Sequence, residues 1–230
     1  MNLQVCIPYR KCPFRCPMCI ATGRQKFDDL YSKNKDKYLK ILKKEVVKYN
    51  DVILTGDTDP TLNREWLEDV ISAIREVSPT KNIELQTRNY NLKSYNLDGL
   101  STINYSITCL SDYLKAWNFR KINGINRLVI LLTNDFQIFN TETFNPMGFE
   151  QITFKVLQYS ADENVNQYIK THRLENIDNI YRIMHKYNGT DISVRVDENC
   201  QDSENRYRIF RSDGKIYKGW DSIEPTEERL

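Results

Sequence analysis

Three cysteines lie within eight residues near the start of the chain, in the run KCPFRCPMC. Cys12, Cys16 and Cys19 have the spacing C-x3-C-x2-C. Thiolate sulfur is the usual protein ligand of iron–sulfur clusters, so these thiols can converge on one inorganic centre. On a four-iron cluster, three protein ligands leave one iron without a side chain. That open iron is a position at which a small molecule can bind and react.

A structural zinc site is the main alternative interpretation of these cysteines. Such a site needs four protein ligands and typically pairs two short C-x2-4-C units that are far apart in the sequence. The chain has a single C-x2-C unit, and neither Cys109 nor Cys200 begins a second one. The two histidines, His172 and His185, are thirteen residues apart. Cys6 is available as a fourth ligand, so zinc stays open as an alternative, while the three-ligand interpretation is preferred.

Strands alternate with helices along the chain, which indicates a parallel sheet with right-handed crossovers. Apolar strand-like runs are followed by segments with apolar residues at three- and four-residue steps. The predicted strands are Leu3–Pro8, Val52–Gly56, Asn82–Thr87, Thr102–Thr108, Asn126–Thr133, Gln151–Gln158 and a last run over 191–199. The predicted helices are 35–50, a helix that Asn63 caps and Pro79 ends, Ser111–Lys121 and Asn164–Tyr187. The cysteine loop therefore begins where the first strand ends.

A turn of small and acidic residues follows the second predicted strand. After VILTG the chain reads DTDPTLN, so the turn consists of Gly56, Asp57, Thr58, Asp59 and Pro60. Together with the cysteine run, this turn resembles the radical S-adenosylmethionine (SAM) enzymes, in which a GGEP turn receives the methionyl amino group of SAM. An ordinary Gly/Asp/Pro loop leading into a helix is the alternative interpretation of the turn alone.

The resemblance implies a 4Fe–4S cluster on Cys12, Cys16 and Cys19, with SAM chelating the fourth iron through its amino and carboxylate groups. An electron from the cluster then cleaves SAM to methionine and a 5′-deoxyadenosyl radical, and a reductant such as flavodoxin or ferredoxin is the implied partner. Met18 stands where the family usually has an aromatic residue, and its thioether is expected to cover the adenine. Asp59 stands where Glu is commoner, after one extra residue.

The same resemblance implies an α/β fold, an open, partial (βα)6 barrel of the TIM type. About six strand–helix units and a seventh strand are present, too few for a closed eight-stranded barrel. We expect residues 1–200 to form this barrel. The tail, residues 201–230, contains an Asp213-Gly214 turn that predicts a β-hairpin, which we expect to cover one end of the barrel.

Polar residues end the later strands, and active sites of barrels form at these carboxyl ends. The resemblance implies that these polar residues contact the ribose and the carboxylate of SAM. The alternative is that they have no such role, because serine and threonine are common at strand ends. Lys155 and Gln158, three residues apart, face opposite sides of their strand. Arg195 and Asp197 are two residues apart and therefore share a face. We expect this pair either to bind a polar substrate or to form an internal salt bridge. The candidates for SAM are Thr87, Arg88, Ser106 and Thr108, and those for the substrate are Lys155, Gln158, Arg195 and Asp197.

Charge is nearly balanced over the chain. With 33 basic and 31 acidic residues the net charge is +2, so bulk electrostatics do not indicate binding to nucleic acid or an anionic membrane, although a local basic groove is compatible with this charge. The N-terminal residues lack the apolar segment of a signal peptide, and no run of about eighteen apolar residues is present. We therefore expect a cytoplasmic protein, since thiols stay reduced there.

The substrate class follows from weaker signals. No second cysteine-rich motif follows the barrel, which favours a small-molecule or nucleotide substrate. Phe154–Gln158 and the segment from Val196 to Tyr207 loosely resemble viperin-like radical SAM proteins, whose substrate is a nucleoside triphosphate. The alternatives are an activase of a glycyl-radical enzyme and an RNA- or peptide-modifying enzyme of the family. A non-catalytic iron–sulfur or zinc-binding protein is the alternative outside enzymes.

Overall fold

The computed structural model describes residues 1–14, 16, 19, 26–132, 148–156, 175–177, 180–182, 191–196 and 206–226. Residues 110, 131–132 and the strand residues between 154 and 196 are described by their backbone. The helices in these ranges are α1 (Leu30–Lys33), α2 (Lys35–Val46), α3 (Arg64–Val77) and α4 (Leu110–Ala116), with a 3₁₀ turn at Pro60–Leu62. The strands are β1 (Asn2–Ile7), β2 (Val52–Gly56), β3 (Ile83–Thr87), β4 (Thr102–Ile107), β5 (Ile125–Leu132), β6 (Gln151–Val156), β7 (Glu175–Ile177), β8 (Ile180–Arg182), β9 (Asp191–Val196), β10 (Tyr207–Phe210) and β11 (Ile216–Tyr217).

The strands form one sheet in the order β11-β10-β1-β2-β3-β4-β5-β6-β9-β8-β7. Neighbours from β10 to β9 are parallel, whereas β11, β8 and β7 pair antiparallel at the two edges. The sheet is not closed, so the fold is the predicted α/β class, an open partial (βα)6 barrel of the TIM type. No helix in the described ranges has both the length and the apolar character needed to cross a membrane.

One face of the sheet packs on α2 and α3 and forms the main core. Alternate strand residues, such as Leu3 and Val5 of β1, are fully buried on this face. Asn63 caps α3 as predicted, because its side-chain oxygen accepts the backbone N–H of Trp66 at 3.1 Å. The buried helix residues are Tyr38, Leu42 and Val46 of α2 and Trp66, Leu67, Val70, Ile71 and Ile74 of α3. These buried residues recur at three- and four-residue steps, as predicted for the helices.

Replacing Trp66 with alanine is expected to lower the free energy of unfolding by about 3–5 kcal/mol, the usual loss for a buried Trp. Trp66 is fully buried, and its indole N–H donates to the Tyr38 hydroxyl at 3.3 Å. Urea unfolding of the metal-free protein measures the change. Trp117, which is 53% exposed, is the matched control, and its alanine variant is expected to stay within about 0.5 kcal/mol of wild type. Equal losses in both variants would contradict this description of the core.

The opposite, inner face of the sheet carries a polar network. Glu84 accepts hydrogen bonds from the amides of Gln86 at 2.9 Å and Asn104 at 2.6 Å. Its second oxygen pairs with Arg127 at 3.1 Å, and Arg127 in turn donates to Gln151 at 2.8 Å. Closed TIM barrels fill this space with layers of apolar side chains, so a polar interior is consistent with an open barrel.

All seven predicted strands are present, with ends within two residues of the prediction where the structure describes them. The predicted helix over Asn164–Tyr187 is wrong. Strands β7 and β8 lie inside this range and pair antiparallel, with Ile177 opposite Ile180. Only Asp178 and Asn179 separate the two strands in the sequence, and both residue types favour tight turns. Pairing of β8 with β9 and β7 overrides the helical spacing of the apolar residues.

The helix predicted over Ser111–Lys121 is shorter in the structure, since α4 ends at Ala116. Phe119, three residues further on, stacks on Phe149 with ring centres 3.9 Å apart. Phe119 also meets Tyr105 of β4 edge to face at 5.4 Å. These aromatic contacts take the chain away from the helix axis toward the core.

The tail forms the predicted hairpin, in which β10 and β11 are joined by a turn with Gly214 at φ +78°. Its strand β10 pairs in parallel with β1, from Asn2 opposite Tyr207 to Val5 opposite Phe210, and extends the sheet. This pairing satisfies the backbone groups that β1 would otherwise expose at a sheet edge. That the hairpin also covers one end of the barrel stays a prediction.

Candidate cofactor site

The carboxyl ends of β1 to β4 lie side by side at the same end of the sheet, because neighbouring strands are parallel. The cysteine loop follows β1, and the register pairs Ile7, the last residue of β1, with Gly56 at the end of β2. Thr87 ends β3, and Arg88 follows it. The sequence motifs therefore meet where the sequence analysis predicted.

Cys12, Cys16 and Cys19 are half-buried, unpaired thiols. The backbone N–H of Cys19 donates to the Cys16 carbonyl at 3.0 Å, so these two cysteines are joined by a backbone hydrogen bond. Among the described residues, no three cysteines, histidines or carboxylates are close enough to hold a single metal ion. A four-iron cluster offers a separate iron to each thiolate, so this all-thiol donor set fits such a cluster without the sulfurs meeting at one point.

Arg88 contacts the cysteine loop directly. Its Nη1 donates to the Cys16 sulfur at 3.0 Å and to the Phe14 carbonyl at 3.0 Å. Its Nη2 donates to the carboxylate of Asp112. Both side chains of this ion pair are nearly buried. Burial raises the pKa of the Cys16 thiol, while the hydrogen bond and charge of Arg88 act in the opposite direction. Arg88 was predicted as a contact of SAM, and the structure places its guanidinium on a predicted cluster ligand.

Asp112, in the first turn of α4, holds Arg88 in this position and was missed by the sequence analysis. One of its oxygens also accepts the backbone N–H of Thr108 at 3.1 Å and the Thr108 hydroxyl at 2.9 Å. Burial opposes ionisation, but the Thr108 hydrogen bonds and the charge of Arg88 outweigh it and lower the pKa of Asp112. The available signal was an acidic residue in the first turn of the helix after β4. Thr108, predicted to contact SAM, is thus engaged by the protein.

Replacing Asp112 with asparagine is expected to lower the free energy of unfolding at pH 7 by about 1–3 kcal/mol, the range for hydrogen bonds to charged groups. Because the folded-state pKa of Asp112 is lowered, its contribution is present above the unfolded pKa of about 3.9 and is lost as pH falls through the folded value. The difference in melting temperature between wild type and variant should therefore shrink in acid. A difference that stays constant from pH 7 down to about pH 2 would contradict this role.

Asp59 fastens the Gly56–Pro60 turn to the end of β3. Its carboxylate accepts the backbone N–H of Thr61 at 3.0 Å, the Thr61 hydroxyl at 2.7 Å and the Thr87 hydroxyl at 2.8 Å. The other oxygen accepts the backbone N–H of Arg88 at 2.7 Å. Burial raises the pKa of Asp59, against the effect of these donors. Asp59 and Thr87, both predicted to contact SAM, are joined to each other, and their contacts fix the shape of the turn.

The turn itself contains a space that only glycine fits and a buried hydroxyl without a partner. At φ +149°, a Cβ on Gly56 would lie 3.0 Å from the backbone nitrogen of Ile7 and 3.1 Å from the Cα of Cys6. Thr58 is buried, and its Oγ1 makes no hydrogen bond within the described part of the chain. A buried donor without a partner is costly, so the turn fits a polar ligand that supplies one. The Asp57 carboxylate, in contrast, is bound by Arg211 of the tail.

The remaining candidates are placed less completely. Ser106 is half-buried on β4, and its carbonyl accepts the Tyr90 hydroxyl at 2.7 Å. Lys155 of β6 lies opposite Arg195 of β9 in the register, near the carboxyl ends of both strands. Met18, Gln158 and Asp197 lie outside the described residues.

A cavity of about 680 Å³ opens beside the contact between Arg88 and the cysteine loop. This volume is in the range of sites that hold small molecules and cofactors. Its lining combines aromatic, amide, basic and acidic side chains, among them Phe14, Arg88, Asn89, Tyr90, Asp112 and Lys115.

The chain matches the family model of the radical SAM superfamily over residues 6–131, more than half of its length. The matched region runs from β1 through the cysteine loop and the Gly56–Pro60 turn to β5. No curated protein matches the chain. The protein belongs to the radical SAM superfamily.

Proposed function

We propose that Cys12, Cys16 and Cys19 hold a 4Fe–4S cluster and that the Gly56–Pro60 turn binds the methionyl end of SAM. Membership of the superfamily implies an enzyme of the radical SAM reaction class. When bound, the cluster and SAM supply a 5′-deoxyadenosyl radical that abstracts a hydrogen atom from the substrate. The observation that carries the proposal is three free thiols on one loop at the sheet edge where the Thr58 hydroxyl lies buried without a partner in the described region.

Different residues at the carboxyl ends of the strands bind the cluster and fix the shape of the turn. The three cysteines bind iron, and Arg88 holds the Cys16 sulfur in place through its bond to Asp112. Asp59 and Thr87 keep the turn in a fixed shape, so that its backbone groups are oriented toward the methionyl amino group before SAM binds. Ser106 is proposed to contact the ribose, and Met18 is proposed to cover the adenine.

A small-molecule or nucleotide substrate with an anionic group is the proposed substrate class. Two basic residues, Lys155 and Arg195, occupy paired register positions near the carboxyl ends of β6 and β9. Two basic residues at paired register positions favour an anionic group, such as a phosphate or a carboxylate, on the substrate. Gln158 and Asp197 are proposed as further contacts of the substrate. A flavodoxin or ferredoxin is the proposed electron donor, and the cytoplasm is the proposed compartment.

Metal analysis and electron paramagnetic resonance of the anaerobically reconstituted protein test this function. We expect about four iron and four sulfide per chain, and a signal of the reduced cluster that changes when SAM is added. One zinc ion and no sulfide would identify a zinc protein instead. A cluster whose signal ignores SAM would identify a non-catalytic iron–sulfur protein. For the substrate, deuterium transfer from labelled candidate substrates into 5′-deoxyadenosine identifies the molecule that is attacked.

A further inference from the structure

Arg211 of the C-terminal hairpin is buried against the Gly56–Pro60 turn. The residue is 1% exposed. Its Nη1 donates to both carboxylate oxygens of Asp57, at 3.2 and 3.0 Å, and its Nη2 donates to the Trp220 carbonyl at 2.7 Å. The guanidinium carbon lies 4.2 Å from the ring centre of Phe27, 5.5 Å from that of Tyr217 and 5.3 Å from that of Trp220. A single side chain therefore joins the tail to the turn.

This ion pair spans the carboxyl end of β1. Arg211 follows β10 and Asp57 follows β2, and β1 lies between these two strands in the sheet. The cysteine loop begins at the carboxyl end of β1, between the two strands that Arg211 and Asp57 follow. Phe27, near the point where the chain returns from that loop, packs on the Arg211 guanidinium. Arg211 thus contacts one residue of the Gly56–Pro60 turn, Asp57, and one residue that follows the cysteine loop in the sequence, Phe27.

Stability alone is a weak reason for such an arrangement. Apolar residues of similar volume often stabilise a protein as well as a buried ion pair does, because charges lose their hydration on burial. The Arg211 Nε is also buried without a partner in the described region, which adds to this penalty. What a buried ion pair does supply is a defined geometry at both of its ends. Here one end is the turn proposed to bind SAM.

We propose that Arg211 is a positioning residue for the cofactor site, which makes the C-terminal hairpin a part of that site. By holding Asp57 from across β1, Arg211 fixes the path of the Gly56–Pro60 turn before any ligand binds. The hairpin lies outside residues 6–131, the region that matches the superfamily model. The consequence for SAM rests on the proposed function, whereas the consequence for the turn does not.

Hydrogen exchange of the cofactor-free protein tests the positioning role directly. Arg211→Met is expected to speed the exchange of backbone amides in residues 57–59 by about tenfold or more, since the turn loses its anchor. Lys215→Met is the matched control: it removes a positive charge from an exposed position in the same hairpin and should leave exchange in the turn unchanged. Arg211→Lys keeps the charge but not the planar fork, so an intermediate effect is expected.

Asp57→Asn tests the same contact from its other end and should also speed exchange in the turn. If Arg211→Met does not fold, faster amide exchange in residues 57–59 of Asp57→Asn and Arg211→Lys is the test of the positioning role. Exchange in residues 57–59 that equals that of Lys215→Met in these variants would overturn the inference.

Binding of SAM to the reconstituted variants supplies the second readout. Arg211→Met is expected to keep the iron content of wild type and to bind SAM about ten- to a hundredfold more weakly, the usual effect of losing an outer contact of a cofactor site. Wild-type affinity in a variant whose turn exchanges faster would overturn the link between Arg211 and SAM. If the wild type itself binds no SAM, the proposed function fails, and hydrogen exchange still decides the positioning role.

Discussion

Replacing Cys16 with alanine is expected to remove nearly all iron and sulfide from the anaerobically reconstituted protein. A cluster with three protein ligands has no spare thiolate, so the loss of one ligand leaves two corners open to solvent. Cys12→Ala and Cys19→Ala should behave in the same way. Iron and sulfide per chain, measured after gel filtration, check this prediction.

Two other cysteines are the controls for this experiment. Cys6 is buried in β1 on the inner face of the sheet. Cys109 is the N-cap residue of α4, without a capping hydrogen bond from its side chain, and its sulfur lies 3.1 Å from the Ser111 hydroxyl. Cys6→Ala and Cys109→Ala are expected to keep the iron of wild type. If Cys6→Ala lost iron as completely as Cys16→Ala, Cys6 would be a fourth ligand, and no iron would remain open for SAM.

Replacing Arg88 with methionine is expected to lower the midpoint potential of the cluster by on the order of 60 mV, the one-electron equivalent of about 1.4 kcal/mol. The guanidinium donates to the Cys16 sulfur at 3.0 Å, and a positive donor near a cluster sulfur favours the reduced, more negative state. A redox titration followed by electron paramagnetic resonance, without SAM, measures the shift.

The variants around Arg88 separate charge from structure. Arg88→Met leaves Asp112 buried without its cation, so the double variant with Asp112→Asn removes this penalty and should keep the lowered potential. Arg64→Met is the control, because Arg64 pairs with Glu68 on an exposed part of α3. A potential equal to that of wild type in Arg88→Met, with full iron content, would exclude a role for Arg88 in setting it.

Local patterns were enough to predict the strands β1 to β6 and β9, the start of α3 and the carboxyl ends at which the cysteine loop and the Gly56–Pro60 turn lie. Asn63 before an apolar stripe predicted the start of α3, and the structure has that cap. Parallel strands place their carboxyl ends together by topology, so the cysteine loop and the Gly56–Pro60 turn could be predicted to meet. That the three cysteines, and not a single-ion site, define the function remains a prediction from the spacing and the family.

Contacts between distant segments could not be predicted. Arg88 and Cys16 are 72 residues apart in the sequence, and Arg211 and Asp57 are 154 apart. Neither pair follows from the periodicity or composition of its own segment. The hairpin of the tail was predicted from the Asp213-Gly214 turn, but its pairing with β1 depends on which sheet edge is free. For the same reason, the helical spacing over Asn164–Tyr187 predicted a helix, whereas this range contains β7 and β8, which are formed by pairing within the sheet.

Formation of 5′-deoxyadenosine is the most direct test of the central claim. The anaerobically reconstituted wild-type protein, supplied with SAM and dithionite, is expected to produce 5′-deoxyadenosine and methionine, and Cys16→Ala is expected to produce neither above the level of a protein-free control. No 5′-deoxyadenosine from a wild-type protein with full iron content, or equal amounts from both proteins, would contradict the claim.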